Sequence, residues 1–564
     1  MTYGSLQDVA GSLVFFLVGL LALFPWIVPL IGLPLGILDR LVFNFLHPYE
    51  TALALARVQP SWLTRAWYWA VTAVGMMAGL LLTYLLMSRW VQKAQRGRRK
   101  QPDYALVHCV IFDGYRDHPL ISDGVILIRN RVDPGETPGL IQAVGAWGTV
   151  DIPEDYQQLD LQGKLVLPGL INAHCHLLGD GAPTRLLELS DAMVERILAL
   201  FQTPLFKLLI RRRFRQHART ALHAGITTLR VLDDFTNFAL ALRDRIRQGA
   251  VVGPRLLCSG APLYPTGGHG SLEYQVDSIP EIRRAVRQNV REEVDCIKIL
   301  STGGVSDARQ IGEAGRPQMT VEEIACACRE AHRGYVPVAS HCESTRGIRE
   351  NLLGGVDTIE HGAEIPEDLI ACFKDNPKAM RGYTCLVPTI SAAMGLATLP
   401  WEETRITRVK YENARIVLFG MIKGLQKAYE SGIKFGVGND ASVPYVPHYD
   451  LWRELSYLVT YTGMSTKEAI YYATRNNAEV LGIEDVTGSV EVGLSADLIV
   501  LDADPFEDLA RLKRPRHVFI RGKFIERPDY EEVKGLKPLA PISPELVGQA
   551  DTTDPGCPTQ GGVH

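Results

Sequence analysis

His174-Cys175-His176 closes an apolar, strand-forming run, LVLPGLINAH. Side chains two residues apart in a strand share a face, so both imidazoles can address one metal ion. An HxH pair alone is weak evidence in a chain with 14 histidines. Four further residues add weight: Lys298 in CIKILSTGG, His341 in VASHCES, His361 in DTIEHG and Asp440 in GVGND. Each sits at the C-terminal end of its own run of strand-forming residues. Taken singly, each reads equally as a satisfied buried polar group, and Lys298 as a snorkelling or salt-bridged lysine. Chance is a poor explanation for the whole set. Imidazoles and carboxylates gathered in this way are the ligand types of a hydrolytic metal centre.

Those residues must be carried by a scaffold that brings strand ends together. Eight apolar runs alternate with helical patterns: LVLPGLINAH, ITTLRVL, PRLLCSG, CIKILST, VPVASHC, DTIEHG, YTCLVPT and KFGVGND. The pattern predicts an α/β fold, a (β/α)8 TIM barrel over 166–480, whose C-terminal strand ends form one face. Short alternating runs at 101–165 (VHCVIFDG, GVILIRN) and again at 481–535 (ADLIVLDAD, HVFIRGKFI) predict a small split β-sandwich that brackets the barrel. The Pro- and Gly-rich tail at 536–564 reads as disordered, and no internal repeat is visible.

The first hundred residues differ in kind. Residues 9–38 and 66–88 carry no charge, and about 20 apolar residues in helix span a bilayer core. The expectation is a membrane anchor over 1–100 with two transmembrane helices, the first interrupted by Pro25, Pro29 and Pro34. A signal peptide fits poorly, because the leader MTYGSLQD has no Lys or Arg. The basic stretch from Arg89 to Lys100 then places the catalytic domain on the cytoplasmic side of the membrane.

Charged residues make up 22% of the 564 and the formal net charge is -4, which is globular and gives no reason to expect nucleic acid as a partner. The expected partners are a small-molecule substrate and the membrane, with a homo-oligomer left open. The ten cysteines are widely spread, as for reduced thiols rather than a disulfide scaffold. Cys326 and Cys328, two apart in a helical stretch, point in different directions and read as core packing.

On these motifs (LPGLINAHCHL, IKILSTGGV, SHCES, IEHG and the position of Asp440) the sequence resembles the amidohydrolase superfamily, in the branch of the Xaa-Pro dipeptidases and imidazolonepropionase-like hydrolases. The resemblance spans about 104–530. It implies a binuclear centre in which His174, His176 and Asp440 hold the more buried ion and His341 and His361 the second. Lys298 would bridge the two as a carbamate formed from CO2, since a free ammonium would be repelled by two cations. Zn²⁺ suits the ligands best, with Mn²⁺ and Co²⁺ also compatible. The implied activity is hydrolysis of an amide or peptide C–N bond, in a dipeptide or N-acyl amino acid, by a metal-bridged hydroxide. Asp440 would act as general base and then general acid. His269, in the Gly-rich TGGHG, and Arg230, ending the second run, read as substrate contacts or as structural groups with equal weight. His448 is a weaker candidate for reaching the pocket. A lactonase or cyclic-amide hydrolase would use the same site. A catalytically dead scaffold would have lost a ligand, and none of the expected ligands is missing.

Overall fold

The computed structural model describes residues 101–543 apart from 133–136, 185–192, 194–202, 235, 271–274 and 537–538, and in addition Tyr84. The chain divides into two compact units, 1–96 and 97–564. The two apolar runs at 9–38 and 66–88 lie outside the described residues, Tyr84 apart, as does the tail from 544.

The localisation expectation needs correction. Among the described residues no helix is long and apolar enough to cross a membrane. The two longest, Pro204–His223 and Arg408–Ser431, have 20 and 24 residues. Length suffices, but the first carries Lys207, Arg211, Arg212, Arg213, Arg215 and Arg219, and each such charge is costly in hydrocarbon. Neither a membrane location nor a cytoplasmic orientation is assigned to the chain.

Eight of the described strands form one sheet. They are β1 (Tyr104–Ile111), β2 (Ile121–Arg129), β3 (Leu140–Ala146), β4 (Gln157–Asp160) and β5 (Leu165–Pro168), with β13 (Leu498–Leu501), β14 (His517–Ile520) and β15 (Lys523–Ile525) from the far end of the chain. The order is β15-β14-β13-β5-β1-β2-β3, with β4 alongside β1. The early and late passages meet where β5 and β13 run antiparallel, Val166 opposite Val500. Alternation puts Leu106 and Ile126 into one apolar cluster and Ala105, Val107, Val125 and Leu127 into another.

β5 leads directly into the barrel. Its strands are β6 (Leu170–Cys175), β7 (Ile226–Val231), β8 (Arg255–Cys258), β9 (Ile297–Leu300), β10 (Val338–Cys342), β11 (Thr358–His361) and β12 (Cys385–Val387). All pairings are parallel, in two arcs: β6-β7-β8 and β9-β10-β11-β12. Bridges close the ring at Leu263–Ile299, Leu386–Phe435 and Cys175–Ala441. The eighth member is therefore the segment around 435–441, bonded to β12 on one side and to β6 on the other. Helices lie between the strands, so most strand residues are buried on both faces. The helix Val321–His332 shows how sequence sets one of them. Thr320 and Glu323 form a capping box, and Ile324, Cys326, Ala327, Cys328 and Ala331 are buried. Cys326 and Cys328 are both free thiols.

The eighth segment lacks a regular ladder, and side chains from a π-helical turn, Tyr472–Asn476, and the residue after it complete its bonding. Asn476 Nδ2 donates to Phe435 O (2.7 Å). Asn477 Nδ2 donates to Val437 O (2.8 Å) and to Ile171 O (2.7 Å) while its Oδ1 accepts from Val437 N. Gly438 is required here, since a Cβ would meet the Cβ of His174 at 2.6 Å.

Candidate metal centre

Strands one and eight are set against each other by two asparagines. Asn172 Nδ2 donates to Asn439 Oδ1 at 2.7 Å, and Asn172 Oδ1 accepts from the backbone N–H of His174 and of Asn439. Backbone bonds from Asp440 N to His174 O and from His176 N to Ala441 O continue the register. The result brings His174, His176 and Asp440 together, with one potential ligand atom of each within 4.8 Å of the others. Asp440 Oδ1 lies 2.9 Å from His176 Nε2 and 3.4 Å from His174 Nε2. It is buried, yet no hydrogen bond satisfies it. A carboxylate oxygen facing two imidazole nitrogens without accepting a proton from either is what a bound cation would resolve. The donor set therefore fits a divalent metal.

His341 and His361 follow on β10 and β11. Their rings lie 4.6 Å apart, and that of His361 is 5.0 Å from His174. Burial holds both imidazoles well below their ordinary pKa. Neighbouring basic groups push the same way: His269 for His341, His174 for His361, and Lys298 for both. Both are neutral at physiological pH, with a lone pair to offer. Thr389 Oγ1 lies 2.7 Å from His361 Nδ1. His361 and Asp440 both have left-handed backbone (φ 68° and 58°). That costs roughly 1–2 kcal/mol per non-glycine residue and often marks functional positions.

Lys298, on β9, is 2% exposed. Among the described residues no carboxylate lies within ion-pair distance of it. Burial lowers its pKa, and Arg230 lowers it further, against the pull of Glu360, Asp440 and Asp233. A buried ammonium without a counter-ion is unfavourable.

Arg230 is bonded within the protein. Its guanidinium is buried and donates to Glu360 Oε1 (2.7 Å), Thr358 Oγ1 (2.9 Å) and Ala173 O (2.5 Å). Of the two readings the sequence left open, substrate contact or structural group, this internal carboxylate answers to the second. His448 is likewise held within the protein. It is buried, stacked on His217 at 4.6 Å, with Nε2 at 2.9 Å from His176 O. His217 Nδ1 is 2.8 Å from the next carbonyl, Leu177 O. The pair holds the chain just beyond the HxH. His269 does reach the site. It stacks on His341 at 4.3 Å and pairs with Asp307. Burial would lower its pKa, but the Asp307 carboxylate brings it up to about 9.

Sequence reasoning missed several residues. Glu360 accepts from His174 Nδ1 at 2.7 Å. Burial alone would raise its pKa, yet Arg230 and His174 hold it well below the carboxylate range. The IEHG motif contained it but drew attention only to its histidine. Glu343, in SHCES, has a buried Oε2 without a partner, and burial raises its carboxyl to about 8. Asn172, Asn439 and Asn477 had no local signal, because their partners are hundreds of residues away or in irregular backbone.

With this geometry in hand, the chain belongs to the amidohydrolase family, whose pattern matches residues 165–525. It is 37% identical to a prolidase candidate from Bifidobacterium longum, whose solved structure aligns with TM-score 0.67 over 77% of this chain and 97% of that one. A Xaa-Pro dipeptidase solved with methionine in its active site is 28% identical, with TM-score 0.63 over 75% of this chain and 100% of that one. The ochratoxinase of Aspergillus niger is 25% identical over 411 residues, 67% of this chain and 80% of its own. The chain is thus a hydrolase of the amidohydrolase superfamily, a group that acts on amide- and peptide-like bonds and generally holds two metal ions.

Proposed function

We propose that this enzyme hydrolyses the C–N bond of a small amide, a dipeptide or an N-acyl amino acid, at a two-ion centre in the barrel mouth. The observation that carries the reading is the unsatisfied Asp440 Oδ1 between His174 and His176. These three residues would hold one ion, and His341 and His361 the other. Lys298 would join the two sets. Its neutral amine adds CO2 and loses one proton, giving an anionic carbamate that needs no counter-ion from the protein. Two divalent ions, Zn²⁺ by ligand type, would polarise the scissile carbonyl and acidify the attacking water. Asp440 takes the proton on its carboxylate and returns it to the leaving nitrogen. His269, held by Asp307 beside His341, would contact the substrate.

Support for peptide-like substrates comes from the dipeptidase relative and from a 25% identical prolidase solved with N-methylphosphonate-L-proline. The test is a hydrolysis screen of Xaa-Pro dipeptides, N-acyl amino acids and lactones, with and without Zn²⁺. Metal-dependent release of an amine is expected. Turnover of lactones alone would overturn the choice of bond.

A further inference from the structure

We infer that Glu360, clamped by Arg230, is a positioning residue that fixes the ring-nitrogen tautomer of His174. This rests on the two-ion reading of the site.

The inference is built from four buried residues on three strands. His174 (β6), Arg230 (β7), Thr358 and Glu360 (β11) are all nearly inaccessible. Glu360 Oε2 is 2.7 Å from His174 Nδ1. The same carboxylate receives Arg230 Nη2 at 2.7 and 2.9 Å and the Thr358 hydroxyl at 2.5 Å. A carboxylate so paired is an acceptor only. The proton between it and His174 therefore belongs to Nδ1. That leaves the Nε2 lone pair free on the side where Asp440 Oδ1 lies, 3.4 Å away.

The arginine does more than neutralise. Its Nε donates 2.5 Å to Ala173 O, the carbonyl preceding His174, and its Nη1 to Thr358 Oγ1 at 2.9 Å. One planar guanidinium, carried by strand two, thus ties strand one to strand six. Glu360 is followed directly by His361. Among the proposed ligands, it is His174 to which the Glu360 carboxylate bonds. The pair brings no net charge to the site, so it orients the histidine without repelling or adding to the cations. A fork of donors in fixed geometry is needed, which a lysine would not supply.

The test uses the full chain, stripped of metal and titrated with Zn²⁺ against a competing chelator. Glu360→Gln places an amide against His174 and no longer enforces the Nδ1–H form. Loss of such an outer hydrogen bond typically costs 10–100-fold in metal affinity. The expected result is that loss for one of two ions in Glu360→Gln, with the other ion within a few-fold of wild type. Glu360→Asp keeps the charge opposite Arg230, and so the fold, but withdraws from His174 by one methylene. It should show the same selective loss even if the glutamine variant does not fold. Wild-type affinity for both ions in either folded variant overturns the inference. Equal loss of both ions also overturns it, because that is a general structural defect. A wild-type chain that binds no Zn²⁺ overturns the two-ion reading itself, an outcome visible before any variant is made.

Discussion

Replacing Lys298 with methionine should separate the cost of the site from its purpose. The side chain is 2% exposed and has no ion-pair partner among the described residues. Methionine fills a similar volume and brings no charge. Exchanging buried ionic groups for apolar ones of like size commonly stabilises a protein by about 1–4 kcal/mol. With a urea slope of about 3 kcal/mol/M or more for a chain of this size, the midpoint of metal-free, CO2-free protein should rise by up to ~1 M. The pH dependence has a definite sign. The folded-state pKa of Lys298 is lowered by burial, so the folded protein binds fewer protons than the unfolded chain in the window from that lowered value up to the unfolded one. Wild-type stability rises with pH through that window, and the advantage of methionine shrinks. The same variant should lose its metal-dependent turnover. Urea unfolding at several pH values, paired with zinc content and rate, reads both effects. A Lys298→Met enzyme with two ions and normal rates would refute the bridging role. One that is no more stable than wild type without metal would refute the argument from an unpaired buried charge.

Asp440→Asn should keep the barrel and bind zinc more weakly, and at saturating Zn²⁺ its kcat should fall by about 10²–10⁴; near-normal kcat there would remove Asp440 from proton transfer. Arg230→Met leaves the buried Glu360 carboxylate without its arginine counter-charge, so a loss of about 3–5 kcal/mol is expected in urea unfolding, whereas a substrate-binding arginine would raise KM at unchanged stability. Glu454, fully buried, accepts from the N–H groups of Ile390 and Ser391, and burial raises its carboxyl to about 8. The folded state then holds a proton that the unfolded chain releases near its ordinary value of about 4.3. Stability should fall as pH climbs from about 4.3 through about 8, and Glu454→Gln should flatten that fall; parallel pH profiles for the two proteins would count against it.

What the sequence revealed follows from how local each signal is. His174, His176, Lys298, His341, His361 and Asp440 could be picked out because each ends an apolar run, and the alternation of a strand decides what shares a face. The eight runs were legible for the same reason, since parallel barrel strands are buried on both sides. Arg230 stayed between its two readings because its partner, Glu360, is 130 residues away, and an arginine at a strand end looks the same whether it meets a substrate or an internal carboxylate. His448 likewise gave no sign that it would hold the carbonyl of His176. The bonding of the eighth segment by Asn476 and Asn477 depends on a π-helical turn that no hydrophobic period announces. The membrane expectation came from apolar length alone, over residues 9–38 and 66–88, and drew nothing from the catalytic unit.

The most direct test of the central claim is the rate of amide hydrolysis as metal-free enzyme is titrated with Zn²⁺ in the presence of bicarbonate, using the best substrate from the screen. Two ions held by His174, His176, Lys298, His341, His361 and Asp440 predict activity that climbs until two equivalents per chain are bound and then levels off. Full activity at one equivalent, or undiminished activity with none, would contradict the two-ion centre.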